Sequence, residues 1–372
     1  MAEKYITARN EIISGYLNNE VIESNPNLYG QYTMVSANLT NYLPDVDPHE
    51  HMEVFIQLLR HKKLSKLEQA NEVALKYLKI EGADTIFENF KGGAIITTFH
   101  TGSYRIINLF LAKKKIPFTL VIGNSIIGQE GSEYISTFRN LGKNNSSSHF
   151  RIIDAENVLS GLRMLRELKE GRILLLYLDG NSGAGIETAS NENRCIIDFL
   201  GQQLYVRKGI GHLAYTANVP ILPIIGYRPS WDEIRLKIDD PIVPNKAISR
   251  ENFSVAVTQY LYSQASSIIR EYPEQWEAWL NLHKVVKIFK RSSFSTTITS
   301  GNIVTFNLRH FGLFQIGDRS FLLQKNLYQS FVIPTPLFKQ LKKTICQPVN
   351  VEEFEPVTLD ELITNGVLIY KE

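Results

Sequence analysis

Of the 372 residues only two are cysteine, Cys195 and Cys346. They lie far apart with no metal-type spacing, which argues against a disulfide scaffold and fits a reduced cytosol. Long apolar runs are missing too: no stretch reaches the roughly 18 residues that a membrane span needs. An excess of one charge is lacking, with 40 Lys+Arg against 38 Asp+Glu, so no nucleic-acid footprint shows. The opening "MAEKYITARNEIISGYL" lacks the basic-then-apolar layout of a signal peptide. No internal repeat is evident. These absences lead to the expectation of a soluble, cytoplasmic protein that touches a membrane at most at its periphery. What is present is globular in composition, 44% hydrophobic and 21% charged. The length suits one large domain with an appendage, or two domains.

Residues 1 to about 50 read as irregular cover, with "SNPNLYGQYT" and "NYLPDVDPHEH" rich in turn signals. From Glu53 the apolar spacing becomes helical, through Val54, Leu58, Leu59, Leu64, Leu67, Val73, Leu75 and Leu78. Strand and helix patterns then alternate. "GAIITTF" (93–99) has strand composition. "GSYRIINLFLAKKK" reads as a helix capped by Thr101 or Ser103 and closed by Pro117. "FTLVIG" (118–123) is a strand and "NLGKNNSSSHF" a polar loop. "AENVLSGLRMLRELKEG" (155–171) sets Ala155, Val158, Leu159, Leu162, Leu165 and Leu168 on one helix face, with Gly171 as the stop. "RILLLYL" (172–178) is apolar without alternation, as in strands covered on both faces. "VRKGIGHLAYTAN" follows as a helix and "VPILPIIGYR" as a strand. The alternation predicts an α/β fold: a mostly parallel open sheet flanked by helices. The Ser/Thr/Gly-rich stretch 288–302 reads as a linker. Beyond it, "FGLFQIGDRSFLLQK" predicts a hairpin around Gly317-Asp318. "TPLFKQLKKTI" and "LDELITNGVLIY" predict short helices and a last strand. The partition expected is a helical and irregular cover (1–80), an α/β core (81–292) and a small α+β domain (303–372).

Ligands of open α/β sheets bind beyond the carboxyl ends of the strands. Three predicted strands each deliver one polar residue there: His100 after 93–99, Asp179 after 172–178 and Arg228 after 220–227. A base, a carboxylate and a cation would converge if the strands are neighbours. Taken singly, each has a bland reading: a structural histidine, a turn aspartate before Gly-Asn, a solvated strand-end arginine.

Four blocks, in order over about residues 80 to 290, resemble the lysophospholipid-type acyltransferases. The branch is that of the lipid A lauroyl/myristoyl acyltransferases and phosphatidylinositol mannoside acyltransferase. "GAIITTFHTGSYR" looks like the family's strand, His, four residues, acid. "LKEGRILLLYLDGNSGAG" is similar to its strand ending in Asp-Gly. "IDFLGQQLYVRKGIGHLAYTANVPILPIIGYR" is similar to its Phe-Phe-Gly segment, helix and strand ending in Arg. "YPEQWEAWLNLHK" is similar to its closing Pro-Glu-Gln-Trp helix. The chain departs from the family in lacking the N-terminal membrane helix and in placing Arg105 where the acid belongs.

The resemblance implies transfer of an acyl group from an acyl carrier protein or coenzyme A thioester to a hydroxyl or amine. His100 would be the general base, with no covalent intermediate, metal or cofactor. A guanidinium has donors only and cannot orient an imidazole, so Asp179 is expected in that role, ahead of Glu130 and Glu133. Gly102 is expected to leave room for the thioester, and the amides of 101–103 to hold an oxyanion. Arg105 is expected to lower the histidine's pKa, or to pair with a phosphate or carboxylate of the substrate, or to be a surface residue. Ser103, Arg207, Lys208 and Arg228 complete the expected substrate contacts. A basic rim at Lys113 to Lys115, Arg163, Arg166, Arg207, Lys208 and Lys284 through Arg291 would steer an acidic donor. The C-terminal piece resembles PqqD-like peptide-binding domains in outline, and winged-helix modules share that outline; the former implies a peptide or amino-acid acceptor. The alternative is a non-catalytic carrier-protein or peptide-binding homologue in a lipid or natural-product pathway. A hydrolase built on Cys195 or Ser103 stands behind both, since neither lies in a nucleophile-elbow sequence.

Overall fold

The computed structural model describes residues 2–15, 17–82, 92–124, 126–132, 150–180, 193–287 and 301–371. The chain divides into two compact units that interleave along the sequence. The first comprises residues 1–15, 57–199 and 203–285; the second comprises 16–56, 200–202 and 286–372. The partition drawn from the sequence follows chain order, whereas these units group residues that are distant along the chain. The polar loop expected at 140–150 lies outside the described residues except for its last position, and so does the linker over 288–300.

The first unit is α/β. Its sheet has seven strands: β1 (Leu78–Gly82), β2 (Ala94–Thr98), β3 (Phe118–Ile122), β4 (Phe150–Asp154), β5 (Ile173–Tyr177), β8 (Ile221–Ser230) and β9 (Glu233–Ile238), in the spatial order β1-β9-β8-β2-β5-β3-β4. From β8 through β4 every neighbouring pair is parallel. β9 folds back antiparallel on β8, and β1 runs parallel to β9. All five residues of β2 and of β3 are buried, the pattern of strands covered on both faces. Flanking helices are α1 (Ala2–Ser14), α5 (Ile106–Lys113), α6 (Ser160–Lys169), α7 (Gly209–Ala217) and α8 (Arg250–Glu271). The core joins Ile96, Leu120, Leu175 and Leu222 of the sheet to Ile106, Ile107 and Phe110 of α5. A separate ribbon pairs β6 (Arg194–Phe199) with β7 (Gln202–Arg207).

The second unit carries α2 (Asn19–Ser24), α3 (Pro26–Tyr42), α9 (Thr335–Cys346) and α10 (Pro356–Thr364). β11 (Phe311–Ile316), β12 (Arg319–Gln324) and β13 (Gln329–Ile333) form one antiparallel sheet. β10 (Ile303–Phe306), β14 (Val349–Asn350) and β15 (Leu368–Tyr370) form another. The hairpin expected around Gly317-Asp318 joins β11 to β12, with Gly317 at φ +55°. α4 (His51–Gln69) has its first turns in the second unit and the rest in the first.

Two readings of local structure are corrected. The N-terminal residues are mostly helical rather than irregular. The Asn25-Pro26 pair, read as a turn, starts α3: Pro26 takes a first-turn position and the Asn25 side chain accepts from the amides of Asn27 and Leu28. The helix expected over 155–171 begins only at Ser160, and it buries Glu167 and Leu168 rather than a leucine stripe. Glu167 is fixed by Thr119, Arg151 and Arg172. Gly171 ends the helix at φ +77°, as expected.

Candidate functional site

β2 and β5 are adjacent and parallel, with Ala94 opposite Ile173 and Thr98 opposite Tyr177. Their constant offset carries two residues further: His100 and Asp179 leave the two strands at equal height. The amide of His100 donates to both carboxylate oxygens of Asp179, at 3.2 and 3.0 Å. The imidazole Nδ1 lies 2.7 Å from Oδ1. The carboxylate is 1% exposed and the imidazole 25%, so the ring links a buried charge to the surface. This pairing leaves Nε2 as the second ring nitrogen.

The ring is held from its sides as well. Tyr177 stacks on it at 4.5 Å between centroids, and Tyr104 meets it edge-on at 4.7 Å. A third strut comes from the segment after α8. Gly102 N donates to Gln275 O and Glu277 N to His100 O, a short antiparallel bridge across Thr101 and Trp276. That bridge aims the buried Trp276 indole inward, and its Nε1–H donates to Asp179 Oδ2 at 2.7 Å. A small hollow beside Asp179 and Trp276, with room for about one water, is lined also by Leu204, Tyr262 and Leu282.

Electrostatics follow from these contacts. Burial pulls the His100 pKa down, but the charge and hydrogen bond of Asp179, aided by Glu277, outweigh it and raise it above the ordinary histidine value. Burial would raise the Asp179 carboxyl; the charge and hydrogen bonds of His100, with the Trp276 N–H, outweigh that and hold it below the usual aspartate value.

The other expected site residues separate into distinct groups. Arg105 does not set the histidine's pKa: it is the least of the named influences, and the net direction is upward. Its guanidinium binds Glu130 at 2.5 Å, Gln69 at 3.2 Å and the Tyr104 hydroxyl at 3.0 Å, so it is neither a plain surface residue nor the histidine's partner. That ion pair holds the Glu130 carboxyl below its ordinary value although burial opposes it. Glu133 lies outside the described residues.

Ser103 and Arg228 are buried and engaged with each other and with Glu68: both bind Glu68, and Arg228 Nη2 also donates to Ser103 Oγ at 2.7 Å. Neither Thr101 nor Ser103 caps α5, whose N-cap is Arg105 without a side-chain bond. Gly102 is closely packed on the side where a side chain would project. A Cβ there would lie 2.7 Å from Gln275 Oε1 and 3.0 Å from Tyr227 Cα, so the glycine serves close packing, and its amide is committed to Gln275. Lys208 is buried against Glu251, which also meets His212 at 3.1 Å, whereas Arg207 is exposed. Lys113 pairs with Glu72. Cys195 is half-buried, and burial raises its thiol pKa.

Sequence reasoning assigned no role to Trp276, Gln275, Glu68, Tyr104 or Tyr177. The Gln-Trp pair was visible within the closing block. Nothing in "KLEQA" marks Glu68, whose partners lie far along the chain. Among the described residues no group of three or more His, Cys, Asp or Glu forms a metal site, and no helix is long and apolar enough to cross a membrane. No protein-family model matches the chain, and no curated protein matches it.

Proposed function

We propose that the chain is an acyltransferase of the lysophospholipid-type superfamily, in which His100 is the general base. The observation that carries this reading is the imidazole whose Nδ1 is engaged by a buried, doubly anchored carboxylate at the C-terminal edge of a parallel sheet. In that arrangement Nε2 accepts a proton from an acceptor hydroxyl or amine as the acceptor attacks a thioester carbonyl. The C–S bond then breaks, and the leaving thiolate takes the proton from the imidazolium. Asp179 fixes the ring's tautomer and stabilises the imidazolium through the step. The donor is a thioester on an acyl carrier protein or coenzyme A, and the acceptor is soluble or carrier-bound.

The test is incubation of the purified chain with radiolabelled acyl thioesters of both donor classes. Transfer or slow thioester hydrolysis is expected, falling by at least about a thousandfold in His100→Ala. A His100→Ala chain with undiminished turnover defeats the assignment. A chain that binds acyl carrier protein yet never turns over would instead be a carrier-binding homologue.

A further inference from the structure

Asp154 ends β4, and the chain then crosses to α6 at the same sheet edge that carries His100 and Asp179, since β4, β3, β5 and β2 are successive parallel neighbours. At about 4.8 Å per strand, β4 lies roughly 10 Å from β5 and 15 Å from β2. There the sequence pattern and the structure part company. Val158, Leu159 and Leu162, which the periodicity assigns to a buried face, are 98%, 52% and 67% exposed. Open space surrounds Gly161 between them. Arg163, Arg166 and Lys169 follow on α6, exposed and without an ion pair among the described residues. The helix's own acids do not offset them: Glu167 is bound by Arg151 and Arg172, and Glu170 by Arg151. The exposed Glu156 is the nearest acid in the connection, beside Gly123.

We propose that this apolar apex and its three cations form a docking surface for an anionic lipid bilayer. The shape argues for a bilayer over a partner helix. Helix recognition needs an apolar groove, and a valine 98% exposed cannot line one. Such a side chain can enter the headgroup layer while arginines and a lysine behind it meet phosphates. Isolated apolar residues on a surface carry little meaning, but three together beside unpaired charge of one sign do. Docked this way, the sheet edge bearing His100 faces the lipid surface. That use rests on the acyl-transfer reading, whereas the docking does not.

The experiment is sedimentation of the full chain with vesicles of phosphatidylcholine alone and of phosphatidylcholine with one quarter phosphatidylglycerol. Binding to the anionic vesicles is expected, weakening as salt rises. An Arg163→Glu/Arg166→Glu variant should lower it by about tenfold or more. Val158→Asp should also lower it, at a position with almost no packing to lose, and circular dichroism verifies that both variants fold. A chain that ignores anionic vesicles overturns the proposal and leaves an acidic protein as the occupant to seek. Equal binding by wild type and both variants also overturns it. Thioester turnover is measured separately, so a failed docking result and a failed catalytic one are distinguishable.

Discussion

Trp276 gives the site one N–H, and that donor bears on the histidine's affinity for a proton. The indole draws charge from Oδ2 of Asp179, while Oδ1 holds the imidazole. Without it the carboxylate is a stronger base toward Nδ1. A Trp276→Phe chain, which keeps most of the aromatic volume, should therefore show a His100 pKa raised further, read by NMR titration of the imidazole. Asp179→Asn should move it the other way, because burial then dominates over lost attraction. An unchanged His100 titration in Trp276→Phe would reduce the tryptophan to packing. Under the proposed mechanism the active form is neutral imidazole. Turnover should thus rise with pH through the His100 pKa, centred above the ordinary value of about 6.5, with its midpoint higher still in Trp276→Phe.

At the scale of elements, the turn between β2 and α5 is shaped by a glycine under two demands at once. Gly102 sits at φ +52°, and a Cβ on it would press on Gln275 and on the backbone of Tyr227. Gly317 has nearly the same φ, but a Cβ there would meet nothing. Gly102→Ala should cost about 2 to 4 kcal/mol, from strain plus overpacking, and Gly317→Ala about 1 kcal/mol. Comparison of the two thermal midpoints checks this, and equal losses would refute the packing argument. Much of this was legible in sequence. Unbroken apolar runs at 93–99 and 172–178 marked covered strands, and their ends marked His100 and Asp179. Their equal height was not legible, because register is a property of strand pairing rather than of either segment. β9 and β1 were not read as strands, although in β9 the buried Ile234, Leu236 and Ile238 alternate with Glu233, Arg235 and Lys237 as in a half-buried strand. The stripe at 158–168 misled because Glu167, engaged by two arginines and a threonine, replaced leucines on the buried side of α6. Arg228 was expected to face substrate, and only a partner 160 residues earlier, Glu68, reveals that it faces inward.

At the scale of the whole molecule, one buried cation lies outside the candidate site, in the second unit. Lys325 follows β12 and is buried; its Nζ donates to Ser36 Oγ at 2.7 Å and to the carbonyl of Leu308. Ser36 in turn lies 2.8 Å from Nδ1 of His51, itself buried. Its charge bears on His51 and His310, and Asp47 acts on His51 in the opposite sense. Burial alone lowers the Lys325 pKa from 10.5 to about 7, and burial with the lysine's charge lowers that of His51 to about 3. The sign follows from proton counts. Between pH 7 and 10.5 the unfolded chain holds a proton on this lysine that the folded chain releases, so folding gains stability as pH rises. Below pH 7 both states are protonated and the folded chain bears the full burial penalty. From pH 7 to pH 9 the gain due to this one group is about 2 kcal/mol. Other groups titrate over the same range, but they do so in a Lys325→Met chain too, which retains the stem's apolar length and loses the ammonium. Denaturation by urea, followed by circular dichroism at both pH values, should therefore show a larger increase in stability for the wild type than for the variant. Identical increases would mean that Lys325 keeps its proton, and that Ser36 and the Leu308 carbonyl suffice to hold an ammonium in the interior.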